Sequence, residues 1–342
     1  MTIRRFIALL AISSICILSC KKKGDDIDTN LSFTGKVSIN IPTYVARNEI
    51  YSFDIDTLVS LSRSDEQGDK VGYYISNPTT GKRDTIYYDG HILNEAFPDA
   101  VYHFKTPSEL KSANLMIVGF SKGYYERSST ASFTVVDPRL DGKGSITGFS
   151  ILPDQKLFVD PRDGHRYYTV EIDGTEWMRT NLTWTGAGVP YCSSKAMSRV
   201  YGQFYTWHQA QTACPAGWRL TSDKDWAAVA SKYGTLDPKN NNYDNVAASL
   251  MEEISFNGTA LWDYWPNVKI NNASSLSIFP TGYATLGMYG FEFNDNNYYA
   301  MFWTSDGSED EGVYRYICED KNTLFYGRAD KDAFAINVRC VR

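Results

Sequence analysis

Cys214 stands in the stretch "ACPAGWRLTSDKDW" (213–226), six residues after His208, and that pair is the first place to look for chemistry. A nucleophilic cysteine needs its thiolate and a base held beside it. Here Pro215 breaks the chain directly after the thiol. Beyond residue 20 the cysteines number four (192, 214, 318 and 340), an even set that in an oxidising compartment favours disulfides over a free thiolate. Four cysteines allow three pairings, and spacing alone does not choose among them. A metal centre is no better supported: no CxxC is present and histidines 91, 103, 165 and 208 are scattered. No metal and no organic cofactor is expected. "LDPKNNNYDN" (236–245) and "FNDNN" (293–297) hold enough oxygen donors for a weak calcium site, but they read better as solvated turns.

With reactive groups set aside, binding falls to aromatic faces flanked by polar groups. "LWDYWPN" (261–267) and "YGFEFNDNNYYA" (289–300) supply the candidates Trp262, Trp265, Tyr289, Tyr298 and Tyr299. A domain poor in aliphatic residues must also build its core from aromatics, so about two or three of these five are expected to be buried.

The elements that carry these residues begin with a leader. Arg4 and Arg5 precede an apolar run from Phe6 to Leu18, of signal-peptide length and too short for a membrane span. The run ends in "ILSC", which resembles the lipobox of bacterial lipoproteins. That resemblance implies cleavage of residues 1–19, lipidation of Cys20 and a membrane attachment through the lipid anchor. Residues 20–32, with "KKKGDDIDTNLS" after the cysteine, hold too little apolar surface to fold and read as a flexible tether. Lysines followed by acids resemble the export signal of surface lipoproteins in the Bacteroidetes lineage and imply the outer face of the outer membrane, although such a tether also suits a periplasmic lipoprotein. Loss of residues 1–19 removes two arginines and no acids, taking the formal charge from −6 to −8. So acidic a chain has no electrostatic footprint for nucleic acid.

Residues 33–138 read as short strands separated by turns. "KVSINIP", "YSFDIDTLV", "KVGYYISN", "RDTIYYDG", "VYHFKTP", "NLMIVGFSKG" and "ASFTVVDP" alternate or carry β-branched and aromatic residues, with turn signals at Asn77-Pro78 and Gly81 between them. The regular spacing predicts a β-sandwich whose pattern resembles the Ig-like or PKD-like modules of bacterial surface proteins. Its expected role is a spacer, with glycan binding by the module as an alternative. "DTL" (56–58) and "DTI" (84–86) look like the O-glycosylation sequon of Bacteroidetes proteins, which would modify Thr57 and Thr85; Asp-Thr-aliphatic is equally ordinary at the start of a strand. Residues 139–157, rich in Gly, Pro and charge, are placed as a linker.

From residue 158 the grammar changes. "DGHRYYTVEIDGTEWMRTNL" predicts two strands around an Asp173-Gly174 turn. "YGQFYTWHQAQTACPAGWRLTSDKDWAAVASKYG" predicts a helix, a Cys-Pro stop and a second helix. For the second helix Ser222 is the N-cap with Asp225 three residues on; Trp226, Val229, Ala230 and Tyr233 form its apolar stripe, and Gly234 is its C-cap. These segments, with "IFPTGYA", "FWTSD" and "AINVRCVR", resemble the Fibrobacter succinogenes major paralogous domain over 158–342. That resemblance implies an α+β C-type lectin-like fold, shared with formylglycine-generating enzymes, whose "RLPTEAEW" segment is similar to "RLTSDKDW". It also implies that the last strand returns beside the first helix, which favours Cys214–Cys340 and leaves Cys192–Cys318. Trp177, Trp207, Trp218, Trp226 and Trp303 fall in the motifs and are expected to be structural.

The resemblance stops short of the relatives' chemistry. Cys318 and Cys340 are too far apart for the cysteine pair of the formylglycine-generating enzymes, so no enzymatic activity is expected. The calcium-binding "EPN", "QPD" and "WND" triplets of sugar-binding lectins are missing; "WPN" (265–267) has proline where an acid or amide is needed. The expectation is a non-catalytic surface lipoprotein whose lectin-like domain captures a glycan or peptide. The alternative is an accessory subunit docking onto a fimbrial assembly or a TonB-dependent transporter with its lid lipoprotein.

Overall fold

A computed structural model describes residues 31–64, 71–87, 101–153, 155–262 and 268–342. Residues 1–19, Cys20, the tether up to residue 30, and Trp265 lie outside the described residues.

In the first half the described strands are β1 (Phe33–Val37), β2 (Tyr44–Ala46), β3 (Ile50–Asp54), β4 (Val59–Arg63), β5 (Gly72–Asn77), β6 (Lys82–Tyr87), β7 (Val101–Lys105), β8 (Ser112–Phe120) and β9 (Arg127–Val136). Alternation decides what each buries. β9 turns Ala131, Phe133 and Val135 inward and β7 turns Tyr102 and Phe104 inward. One sheet runs β2-β9-β8-β5-β6, with β2 parallel to β9; two ribbons, β1-β4 and β3-β7, complete the set. Phe33 and Leu61 from one ribbon and Tyr102 and Phe104 from the other share a core with Ile75, Leu115, Ile117 and Phe133 of the sheet. Each such side chain contributes about 1.5–3 kcal/mol on burial. "YSFDIDTLV" is not one strand. The Asp54 carboxylate accepts the Asp56 amide at 3.0 Å, and this cap starts a one-turn helix, α1 (Ile55–Leu58), before β4 resumes. Thr57 is exposed on that turn, its hydroxyl donating to the Asp54 carbonyl, and Thr85 is exposed on the edge strand β6.

The second half holds β10 (Ile146–Thr147), β11 (Lys156–Val159), β12 (Arg166–Ile172), β13 (Thr175–Met178), β14 (Val189–Pro190), α2 (Lys195–Tyr201), β15 (Gln203–Phe204), α3 (Trp207–Ala213), β16 (Arg219–Leu220) and α4 (Asp223–Tyr233). It continues through β17 (Thr235–Asp237), β18 (Asn242–Asp244), α5 (Ala247–Leu250), β19 (Ser255–Phe256), β20 (Thr259–Ala260), β21 (Tyr283–Gly287), β22 (Gly290–Asn294) and β23 (Tyr299–Gly307). It closes with β24 (Glu311–Cys318), β25 (Thr323–Asp330), β26 (Phe334–Ala335) and β27 (Cys340–Val341). One sheet is ordered β11-β12-β13-β27-β16, a second β17-β18-β25-β24-β23, and a third β22-β21-β26. The chain is thus mostly strands in several sheets with few helices.

The α4 start is the one its sequence predicts: Ser222 and Asp225 form a reciprocal capping box, and Trp226, Val229 and Ala230 are buried. Gly234 does not act as a left-handed cap. Its backbone is extended, and a Cβ there would lie 2.2 Å from the Asp244 carbonyl oxygen, so glycine serves close packing against β18. The helix expected before Cys214 is α3, and a further helix, α2, precedes that stretch. Gly202, at φ +83°, ends α2, and Thr206 starts α3 with its own capping box to Gln209.

Residues 139–157 fold onto the second half. Ile146 in β10 pairs with Phe256 in β19, and Ile146 and Phe149 are buried. The two halves also touch: the Ser194 hydroxyl donates to the Tyr44 carbonyl at 2.5 Å, Asn257 Nδ2 donates to the Val135 carbonyl at 2.9 Å, and the Tyr44 ring packs on Tyr191 and Phe256.

Candidate functional site

Cys214 and Cys340 form a disulfide with Cα atoms 5.9 Å apart, as the resemblance implied. It ties the end of α3 to β27, and Trp218 and Leu220 pack in the same core. Pro215 and Gly217 (φ +81°, with open space around it) turn the chain into β16. The second expected bridge does not form: Cys192 and Cys318 are free. The chain places them apart. Cys192 sits on a turn before α2 in the core around Tyr191, while Cys318 ends β24 opposite Tyr299. Neither is a ready nucleophile. Burial, followed by a hydrogen bond that the thiol donates to the Asp320 carboxylate and by that carboxylate's charge, pushes the Cys318 thiol up to about 12, and burial raises that of Cys192. Among the described residues no group of three His, Cys, Asp or Glu side chains gathers to hold a metal ion.

The family-like motifs meet in the interior through buried arginines. Arg339 donates to Asn181 Oδ1 and to the carbonyls of Met178 and Leu276, and Arg179 donates to Ser275, Ser150, Gln155 and Ser277. Burial, with Arg179 nearby, lowers the Arg339 guanidinium to about 9, which leaves it charged at neutral pH. This network joins "WMRTNL", the "SSLS" stretch (274–277) and "NVRC" as structure.

The exposed chemistry lies on one face of the β23-β24-β25 sheet. On β24, Val313, Arg315 and Ile317 point into the protein, so Tyr314, Tyr316 and Cys318 take the other face. Tyr316 pairs across the strands with Phe325, their rings stacked at 4.8 Å. Tyr314 lies 5.6 Å from Tyr316 and 5.5 Å from Phe334, Phe334 is 5.4 Å from Tyr283, and Tyr283 is 6.1 Å from Tyr299. Tyr299 returns to Tyr316 at 6.1 Å and touches Tyr298 at 4.6 Å. The rings therefore form a closed, half-buried platform drawn from β21, β23, β24, β25 and β26.

The backbone makes room for this platform. A Cβ on Gly327, opposite Tyr314, would lie 2.3 Å from the Tyr314 ring, so only glycine lets that ring lie down on the sheet. Gly312 does the same for Trp207, whose indole N–H donates to the carbonyls of Thr304 and Asp306. Burial raises the hydroxyls of Tyr299, Tyr314 and Tyr316 above their ordinary value. Burial with Asp320 does so for Tyr298, and burial with Asp295 for Tyr283. All stay neutral at physiological pH and offer an O–H beside each apolar ring face.

Of the four aromatic candidates among the described residues, Tyr298 and Tyr299 reach this face. Trp262 is a core residue, 6% exposed, packed with Val268, Leu276 and Trp226 in one cluster, which corrects its assignment as a ligand contact. Tyr289 is 95% exposed at the tip of the β21-β22 hairpin with Met288 (86%) and Leu286 (54%). That tip is about 13 Å or more along β21 from Tyr283. Trp177, Trp218, Trp226 and Trp303 are buried and Trp207 half-buried. The five candidates omit Tyr283, Tyr314, Tyr316, Phe325 and Phe334. The alternation in "VYRYIC" carries that signal for two of them, whereas the others depend on pairing between distant strands.

A comparison with curated proteins finds no match. Among solved structures, a quinoprotein alcohol dehydrogenase-like protein from Bacteroides thetaiotaomicron aligns at 9% identity over 85% of this chain and 59% of its own, with a TM-score of 0.16. At that score the likeness carries no argument. Residues 170–342, from within β12 through β27, match the model of the Fibrobacter succinogenes major domain, and the chain belongs to that family.

Proposed function

We propose that the chain is a non-catalytic, lipid-anchored binding protein of the bacterial outer surface, and that its aromatic platform holds an extracellular glycan. In this reading the first half is an Ig- or PKD-like spacer, the family domain has a C-type lectin-like fold, and Cys20 carries the anchor. The observation that carries it is the closed ring of half-exposed aromatics with the bare Gly327 backbone beneath Tyr314. Sugar rings stack on such apolar faces, and the neutral phenols beside them are suited to hydroxyl partners. A glycan array followed by titration calorimetry tests it. Tyr314→Ala with Tyr316→Ala is expected to weaken binding of the best glycan about tenfold or more, at roughly 0.5–1.5 kcal/mol per aromatic contact. An array without hits would end the reading.

The hairpin tip favours a second reading, that of an accessory subunit docking onto an outer-membrane transporter complex or fimbrial assembly. Leu286, Met288 and Tyr289 form an exposed apolar cap unlike the polar loops around it. Chemical crosslinking in intact cells tests this: Met288→Ser with Tyr289→Ser is expected to abolish capture of a membrane partner while leaving glycan binding unchanged.

A further inference from the structure

A cavity of about 460 Å³, within the size range of small-molecule sites, lies where the 138–141 segment meets the β11-β12 turn and α2. Arg166, at the start of β12, and Arg199, on α2, both line it. The neighbouring arginines are engaged: Arg139 with Asp137 and Asp141, Arg162 with Asp160, Arg179 and Arg339 with the buried network. Arg166 and Arg199 are different. Among the described residues neither guanidinium donates to any side chain or carbonyl, and neither forms an ion pair. Two carboxylates also line the cavity and are themselves engaged: Asp141 pairs with Arg139, and Asp163 accepts the His165 amide at 2.9 Å. Leu157, Tyr168 and Phe279 supply an apolar part of the wall, and Thr180, Asn181 and Thr183 a polar one.

A guanidinium is a fork that binds carboxylate oxygens two at a time, and two of them beside an apolar wall select a ring that carries an acid. We propose that this cavity binds an acidic sugar, with Arg166 and Arg199 holding the carboxylate of a hexuronate residue while Leu157, Tyr168 and Phe279 take the ring. The site is separate from the aromatic platform and does not depend on its function.

Titration calorimetry of the full chain with trigalacturonate, its neutral galactose counterpart and inorganic sulfate provides the test. Trigalacturonate is expected to bind at least tenfold more tightly than either of the others. Arg166→Gln with Arg199→Gln should weaken it at least tenfold with an unchanged circular dichroism spectrum. Tyr314→Ala with Tyr316→Ala should leave it unaltered. Absence of trigalacturonate binding, equal binding of the neutral sugar, or retention of affinity by the double arginine variant would overturn the proposal. Sulfate binding as tightly as trigalacturonate would also overturn it, because the ring would then contribute nothing.

Discussion

Arg315 illustrates how little of a residue's role its type reveals. In sequence it is a charged residue between two tyrosines in a strand. In the fold it is fully buried, its Nε donating to Asp223 Oδ1 at 2.6 Å and Nη1 to the Asn241 carbonyl at 2.5 Å. Its guanidinium lies over the rings of Tyr243 and Tyr326. Asp223 is 26% exposed and stays partly solvated without its partner, so Arg315→Ala, which empties the buried site and removes the donor to the Asn241 carbonyl, is expected to cost about 2–3 kcal/mol in chemical denaturation. Arg315→Met, which refills the space with an apolar chain, should cost distinctly less. No local pattern announces this arginine, because its partners lie 92 and 74 residues away in sequence. The Ser222–Asp225 cap, by contrast, is legible because all its atoms lie within one turn.

Among the elements, hairpins and helix starts could be read in advance and long-range pairings could not. The β12-β13 turn falls on Asp173 and Gly174, both at positive φ, as that dipeptide requires. The two cysteines without partners occupy elements whose neighbours are set by tertiary packing, which is why an even count misleads. Differential alkylation of unreduced protein should label Cys192 and Cys318 once the chain is unfolded, and Cys214 and Cys340 only after reduction. The Cys214–Cys340 bridge spans 126 residues, and Cys214→Ser is expected to cost about 4–5 kcal/mol in the chain-entropy description. At the platform, Gly327→Ala should displace the Tyr314 ring and reduce glycan affinity even where the fold persists, a change visible as a shift of the Tyr314 ring resonances.

At the scale of the molecule, the carboxylates are tuned by guanidiniums. Burial alone would push Asp137, Asp160, Glu176 and Asp225 up. Arg139, Arg162, Arg342 and Arg219 respectively, with nearby amides and hydroxyls, more than reverse it and hold all four below the ordinary range. The folded chain therefore binds fewer protons than the unfolded one in mildly acidic solution. Their stabilisation is complete above the unfolded carboxylate range, about pH 4, and is lost as pH falls through the native values. Tm is expected to drop progressively below about pH 4, and Asp160→Asn should flatten that slope. The strand-rich character of both halves was legible from alternation and turn residues. Their contact through Tyr44, Ser194 and Asn257 was not, since a Gly- and Pro-rich stretch reads as a linker whether or not it packs.

The place of β27 has a consequence for how the domain comes into being. In its sheet the strand latest in the chain is neither at an edge nor optional: it lies between β13 and β16, pairing Val341 with both Trp177 and Arg219. A chain emerging from its N-terminus can form hairpins such as β12-β13 as it appears, yet the sheet has an open slot until some 160 further residues have followed. Completion of this sheet waits for β27: until Cys340 and Val341 are in place, β13 and β16 lack the strand that joins them.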